Sequence, residues 1–220
     1  MSRILPAAAA PPTPRRKVLV GLALALALPG CGALGALGGR PLDAFELRAP
    51  ETVPQARRAS ARDLIIEVPD AGAALDTERI MIRPNPLQAQ YLPGARWTGS
   101  APVTLQTVLV RAFEDANAFR FVGRRPLGST GDVALVSDLT DFQAEADPDN
   151  RAATVRVRLV ARLVREADIS VLASRTFQTT VPVASTDPLV VVQGFNAATD
   201  TIVPEIVSWA LGRLGVSAGS

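Results

Sequence analysis

An alternating segment in the second half of the chain is the feature that most constrains its fold. Residues 153–165 place small or branched apolar side chains at every second position: Val155, Val157, Leu159, Ala161 and Leu163. The other face carries Val160, Val164 and a series of four arginines: Arg156, Arg158, Arg162 and Arg165. A period of two is that of a strand with one buried face. The segment therefore predicts a strand in a sheet that is solvated on one side.

The segments on either side of this strand extend the pattern. Residues 132–145 predict a long strand, and Asp147-Pro148-Asp149-Asn150 has the composition of a turn. Residues 171–183 predict a returning strand. The span 132–183 is therefore expected to form a three-stranded antiparallel meander.

Shorter strands are predicted earlier in the chain, at residues 43–48, 63–68, 79–83, 87–92 and 119–123. Residues 49–61 read as a polar loop, and residues 71–77 as a turn or a short helical piece. The segment Pro84-Asn85-Pro86 is expected to end one strand, and Pro93-Gly94 to turn the chain after the next.

Two helices are predicted. The first has Ser100 as N-cap and Pro102 in its first turn, and it ends near Asn117 with the apolar stripe Leu105, Leu109, Ala112 and Ala116. The second starts at Asp187-Pro188 and has the stripe Val191, Phe195, Ala198, Ile202, Ile206 and Trp209. Pro204 is expected to kink or split it. The element order predicts an α+β fold, a mixed, largely antiparallel sheet with two main helices packed on it.

The N-terminal segment has the layout of a secretory signal. Arg15-Arg16-Lys17 precedes an apolar run over residues 18–28, which is too short to span a membrane, and Pro29-Gly30-Cys31 follows. Leu28-Pro29-Gly30-Cys31 resembles the lipobox of bacterial lipoproteins. We therefore expect residues 1–30 to be a signal peptide, Cys31 to be acylated, residues 31–42 to be a flexible tether and residues 43–214 to be the domain.

Composition excludes several classes of function. The 220 residues include 23 Lys and Arg and 21 Asp and Glu, but four cations and no acid precede residue 31. The remaining chain therefore has a net charge of −2, which disfavours a nucleic-acid binder. The chain has no His and a single Cys. It therefore lacks the commonest general base and metal ligand, and we expect no catalytic residue, no metal and no cofactor.

Three groups of side chains remain as candidate sites. Asp138, Asp141, Glu145, Asp147 and Asp149 are interpreted as a solvated strand face and turn rather than as a Ca²⁺ loop. The four arginines are interpreted as partners of acids on neighbouring strands, with lipid headgroups or an acidic partner as the alternative. Trp97, near Tyr91 and Arg96, is expected to cap the core, with a binding patch as the alternative.

Several segments together resemble the ABC-type transport auxiliary lipoproteins. They are Cys31, Phe45-Glu46-Leu47, Leu64 to Pro69, Glu78-Arg79-Ile80, Gln90-Tyr91, Ala95-Arg96-Trp97, Pro102 to Asp115, Asp132 to Leu135 and Trp209. The resemblance covers residues 31 to about 212 in order. The Tyr91 and Arg96-Trp97 block is its most specific part, and the lone Tyr91 and Pro204 depart from the family pattern.

The resemblance implies a non-enzymatic lipoprotein on the periplasmic face of the outer membrane. Its partners would be an MCE-domain protein and the permease and ATPase of an ABC system that moves lipid. The resemblance also allows several copies of the chain to form a homo-oligomeric ring. Gly32, after the acylated Cys31, resembles an outer-membrane address. The alternatives are an assembly lipoprotein for another outer-membrane machine, such as lipopolysaccharide export, and, least favoured, an envelope hydrolase.

Overall fold

The computed structural model of the chain describes residues 41–128 and 131–219. Its strands are β1 (Asp43–Phe45), β2 (Ser60–Ile66), β3 (Asp70–Ala71), β4 (Arg79–Asn85), β5 (Gln88–Trp97), β6 (Phe119–Gly123), β7 (Val133–Ala146), β8 (Ala153–Arg165) and β9 (Ser170–Val183). Its helices are α1 (Ala101–Asp115) and α2 (Pro188–Arg213). The predicted α+β class, with a mixed and largely antiparallel sheet and two helices, is confirmed.

Strand β7 organises the sheet. One of its edges pairs along nearly its whole length with β8 in antiparallel register, from Val133 opposite Arg165 to Ala146 opposite Ala153. Strand β9 continues from β8 in the same way. The other edge of β7 pairs in parallel with β2, then β3, then β4. The predicted meander is therefore confirmed, and it forms one half of a larger sheet.

The remaining strands extend the other half of the sheet. Strand β4 pairs with β5 in antiparallel register, and β5 pairs with β1 in parallel. Strand β2 pairs in parallel with β6 on its far edge. Helix α1 contacts β2 and β6, whereas α2 contacts β5, β8 and β9, and the two helices also touch each other. Both helices therefore bury their apolar stripes in one core.

Several predicted boundaries were wrong. The first strand ends at Phe45, and β2 begins three residues before the predicted start. The turn predicted within residues 71–77 is found at residues 73–75, directly after the short strand β3. Pro84 lies inside β4, and Pro93-Gly94 lies inside β5. Gly94 has a φ of +74°, and the pairing register of β4 and β5 shifts at this place. A bulge therefore absorbs Pro93-Gly94, because glycine tolerates positive φ.

Both helices begin as predicted. The side chain of Asp187 accepts a hydrogen bond from Leu189 N, whereas Ser100 stands at the N-cap of α1 without such a bond. Helix α2 is one element from Pro188 to Arg213 with Pro204 inside it, so the split predicted at Pro204 is not found. The extensive burial of α2 against the sheet explains why one proline does not interrupt it.

Candidate functional site

The solvated face of the meander is a polar surface with ion pairs between β7 and β8. In β8, Val155, Val157 and Leu159 are at most 1% exposed and point into the core. The residues between them point outward, which places Arg156, Arg158 and Arg162 on the opposite face of the sheet. Alternation along a strand therefore produces this surface directly.

Two of these arginines pair with acids on β7. Arg156 Nε donates to Glu145 Oε1 at 2.8 Å and its Nη2 donates to Oε2 at 3.1 Å. Arg162 Nη1 donates to Asp138 Oδ2 at 2.7 Å. The predicted pairing with acids on a neighbouring strand is confirmed for both.

The other two arginines behave differently. Arg165 is two positions after the buried Leu163, so it lies on the core side of β8 and its predicted place among the solvated arginines is wrong; it pairs with Asp168 in the turn that follows, at 3.1 Å. Arg158 is exposed, and no carboxylate in residues 41–128 and 131–219 lies within 4.0 Å of its guanidinium. Arg158 is therefore the cation of this face that is most available to an outside partner.

The carboxylate of Glu145 is held as an anion. The hydrogen bonds from Arg156 lower its pKa below 4.5, against a smaller opposing effect of burial, and Gln143 and the charge of Arg83 add to the lowering. The same contact raises the pKa of Arg156. Glu145 is therefore suited to accept hydrogen bonds and form ion pairs rather than to donate a proton.

A hollow of about 810 Å³ adjoins this pair, between the tip of the β4–β5 hairpin and the ends of β7 and β8. Gln143, which is 2% exposed, donates to Asp141 Oδ1 at 2.9 Å and to Glu145 Oε1 at 3.4 Å, and it accepts from Phe142 N at 2.9 Å. Prolines supply the apolar part of the lining: Pro84, Pro86 and Pro148. The hollow therefore combines a fixed polar floor with a rigid apolar rim, which suits binding.

Arg83 is the other cation of the hollow. Its Nη1 donates to Pro86 O at 3.3 Å, and its Nε is buried without a partner in the described chain. Sequence reasoning missed both Arg83 and Gln143, because nothing in their local sequence shows that β4 lies beside the end of β7. The two prolines on either side of residue 85, which line the hollow, were the available sequence signal, but they were interpreted as the end of a strand.

The acidic stretch is a strand face and a turn, as interpreted. Asp147 Oδ1 accepts the backbone N–H groups of Arg151 and Ala152 at 2.8 and 3.2 Å, which closes the β7–β8 turn. Asn150 in the same turn has a φ of +56°. Within the described part of the chain, no three acidic or cysteine side chains are grouped so that they could hold a metal ion.

Trp97 belongs to the core, so the prediction that it caps the core is confirmed and the alternative of a binding patch is wrong. It is 1% exposed, with its ring centroid 5.8 Å from that of Phe142 and 5.3 Å from that of Phe195. Tyr91 donates to Ala74 O at 3.3 Å, and Arg96 pairs with Glu78 at 3.1 Å. The three residues therefore serve structure.

Cys31 and the expected signal and tether lie outside the described residues, apart from the last two positions of the tether. In the part of the chain that is described, no helix has both the length and the apolar character that crossing a bilayer requires.

Fold and surface together define an α+β domain that presents a polar, ion-paired sheet face to solvent. A model of the ABC-type transport auxiliary lipoprotein component family matches residues 45–207. The chain belongs to this family, which confirms the resemblance described from its sequence. Membership places it among the auxiliary lipoprotein components of ABC-type transport.

Individual relatives agree with this assignment. The crystal structure of protein XCC0632 from Xanthomonas campestris is 29% identical, with a TM-score of 0.68, over 79% of this chain and 96% of that one. The crystal structure of another uncharacterized protein, at 16% identity, shares the fold with a TM-score of 0.58, over 78% of this chain and 99% of that one. An uncharacterized protein of Bradyrhizobium diazoefficiens is 29% identical over 79% of this chain. This chain spans about half of that relative's length, since the match covers 47% of it.

Proposed function

We propose that this chain is the non-enzymatic, outer-membrane-anchored lipoprotein subunit of an ABC/MCE-type envelope lipid transport system. The observation that carries the proposal is the family match over residues 45–207. In the sequence, a lipobox ending at Cys31 precedes the matched segment. Acylation of Cys31 would hold the domain at the periplasmic face, where its polar sheet face would meet the MCE-domain protein of the same system.

The role follows from the chemistry of the surface. Ion pairs across β7 and β8 fix the positions of Glu145 and Arg156, so the face meets a partner without reordering these side chains. Charges arranged in this way contribute to the specificity and rate of association more than to affinity. We therefore assign the domain to docking, and leave ATP hydrolysis and membrane crossing to the other subunits.

Acylation and sorting are tested by two neighbouring variants of the full precursor. Cys31→Ser removes the thiol, so an unacylated precursor that is lost from the outer-membrane fraction is expected. Gly32→Asp retains the thiol, so normal acylation with a shift to the inner-membrane fraction is expected. The measurements are incorporation of labelled fatty acid and separation of membranes by density. Outer-membrane fractionation and ordinary processing of Cys31→Ser would contradict the proposal.

Partners are tested by purifying the acylated chain from membranes in mild detergent. Recovery of an MCE-domain protein with the permease and ATPase is expected, and the native mass of the complex separates one copy from the ring that the resemblance allows. Crosslinking to an outer-membrane β-barrel instead would favour an assembly role such as lipopolysaccharide export.

The polar face is tested by a charge reversal at Arg158. Arg158→Glu should lower recovery of the MCE-domain protein without changing folding, because Arg158 is exposed and has no acidic partner in the described chain. Arg58→Glu, at an exposed loop position, is the matched control and should leave recovery unchanged. Equal recovery with both variants would show that this face does not dock the partner.

A further inference from the structure

The turn between β8 and β9 holds an isoleucine in an unfavourable place. Arg165 and Ser170 face each other in register, and residues 166–169 connect them. Ile169 is 83% exposed and has a φ of +56°. A β-branched side chain in this left-handed region is a genuine outlier. The β7–β8 turn has Asn150 at the same φ, which is a residue type that tolerates it.

Two neighbouring side chains add to the exposed apolar surface. Val171 is 58% exposed and Leu172 is 37% exposed. We refer to Ile169, Val171 and Leu172 as the β8–β9 tip. Scattered exposed apolar residues need no explanation, but three within four residues, one of them on strained backbone, indicate a contact outside the domain.

Arginines lie beside this tip. A hollow of about 680 Å³ is lined by Leu172 and by Arg62, Arg165 and Arg213. Arg62 donates to Leu214 O at 2.9 Å. Arg213, the last residue of α2, is exposed, and no carboxylate of the described chain lies within 4.0 Å of its guanidinium.

Asp132 is the acid in the lining, and it already has partners. Its Oδ2 accepts from Asp63 N at 2.7 Å and lies 3.8 Å from Arg120. The hollow therefore offers guanidinium N–H groups to an incoming anion, and guanidinium matches phosphate oxygens with paired hydrogen bonds.

We propose that the β8–β9 tip inserts into the headgroup region of a phospholipid surface, with Arg213 on the lipid phosphates. Three apolar side chains on one turn cover far less than the roughly 800 Å² per partner of a standard protein interface. The two acids of the turn are already occupied, Glu166 by Gly131 N and Asp168 by Arg165 and Ser170. A headgroup region offers phosphate and hydrocarbon side by side, so a small apolar tip beside Arg213, which is unpaired in the described chain, is sufficient there.

The proposal rests on the proposed function in one respect, the acyl anchor at Cys31. Eleven residues, 32–42, separate that anchor from the domain and extend at most about 40 Å. A lipid surface is then always near the domain. Stable attachment takes more than one weak signal, and the tip would add one to the acyl chains.

A spin label at residue 169 tests the insertion in the full acylated chain. Because lipid occupies the thiol of Cys31, Ile169→Cys supplies a single free thiol for a nitroxide. The protein is reconstituted in vesicles of phosphatidylethanolamine and phosphatidylglycerol. The collision frequency of the nitroxide at residue 169 with oxygen is expected to exceed its collision frequency with a water-soluble nickel complex. Leu87→Cys, 98% exposed on the β4–β5 hairpin, is the control and should show the reverse. Strand β4 meets the opposite end of β7 from Arg165, so the two labels report different ends of the domain.

The role of Arg213 is tested in the same vesicles. Arg213→Gln should lower the ratio of chains with an inserted β8–β9 tip to chains with a tip in water about fivefold. Arg58→Gln should leave this ratio unchanged. Flotation of the vesicles reports the anchor separately. A floating chain whose residue 169 is as water-accessible as residue 87 overturns the insertion and leaves the anchor intact. Dipolar broadening between labels overturns it in favour of a second copy of the chain. A chain that does not float overturns both the anchor and the tip proposal that depends on it.

Discussion

Gly194 lies where helix α2 packs closely against the sheet. A Cβ atom at this position would stand 2.5 Å from Val183 Cγ1 and 2.9 Å from Val155 Cγ2, closer than side chains pack in proteins. The absence of a side chain therefore lets α2 lie directly on β8 and β9. Close packing of this kind makes a core sensitive to even one added methyl group.

Gly194→Ala should therefore lower the free energy of unfolding by about 1–2 kcal/mol, because overpacking outweighs the better helix propensity of alanine. Gly212→Ala is the matched control in the same helix. Its Cβ would meet nothing within 4 Å, so the variant should be as stable as the parent or up to about 1 kcal/mol more stable. Urea unfolding measures both, and an unchanged midpoint for Gly194→Ala would contradict the close approach.

Asp63 forms an ion pair with Arg120 in which the carboxylate is the more buried partner. Its side chain is nearly buried and accepts from Arg120 Nε at 2.7 Å. This hydrogen bond, more than the charge of Arg120, lowers the pKa of Asp63 below 3.8, and burial opposes it. A lowered pKa means that the pair stabilises the fold above the ordinary pKa of the carboxyl. The stabilisation is lost as the pH falls through the lowered value.

Asp63→Asn should therefore lower the free energy of unfolding at pH 7. Below a pH of about 4, the variant should then lose less additional stability than the parent does. Asp149→Asn, at an exposed position of the β7–β8 turn, is the control and should keep the acid sensitivity of the parent. Denaturant unfolding at a series of pH values provides the comparison. An acid-sensitivity curve of Asp63→Asn that runs parallel to that of the parent would show that the pair makes no contribution.

At the scale of elements, the β4–β5 hairpin departs most from the sequence-based prediction. Its prolines are typical of strand ends, but β5 continues past Pro93-Gly94 to Trp97. Pairing with β4 on one edge and with β1 on the other keeps the strand in place. Tertiary pairing therefore outweighs local propensity here, which is common for strands.

Trp97 shows the consequence of that continuation. Trp97→Ala should lower the free energy of unfolding by about 3–5 kcal/mol, because Phe142 and Phe195 lose their central neighbour. Leu87→Ala, at the exposed tip of the same hairpin, should change stability by at most about 0.5 kcal/mol. Urea unfolding distinguishes the two, and a small effect at Trp97 would be incompatible with its burial.

At the scale of the whole molecule, nearly all buried apolar side chains of residues 42–128 and 131–219 form one continuous core. In this core, the ring of Trp97 lies beside that of Phe142 of β7. The ring centroid of Trp209 lies 5.5 Å from that of Phe177 of β9. Each tryptophan thus reports on a different part of the same core. A single core of this size is expected to unfold in one cooperative step.

Trp97→Phe and Trp209→Phe each leave one tryptophan as a fluorescent probe. In each variant, the fluorescence midpoint in urea should equal the midpoint measured by circular dichroism, because both parts of the core melt together. Comparing the two probes within one variant removes the effect of the substitution on stability. Two separate midpoints would show that the meander and the remaining sheet unfold independently.

The sequence by itself determined the meander, both helices and the polar character of the outer face of β8. Adjacent strands joined by short turns must pair, and period two fixes which residues share a face. The family was also readable from the order of its segments. Acylation of Cys31 stays a prediction, since it falls outside the described residues.

Only the tertiary structure decided which strands lie next to each other across long stretches of chain. The parallel placement of β2, β3 and β4 along β7 creates the hollow at Arg83 and Gln143. It also decided that Arg156 is paired while Arg158 is exposed. Alternation reports the face on which a side chain lies, but not its neighbour on the next strand. That neighbour depends on long-range packing, which no local pattern encodes.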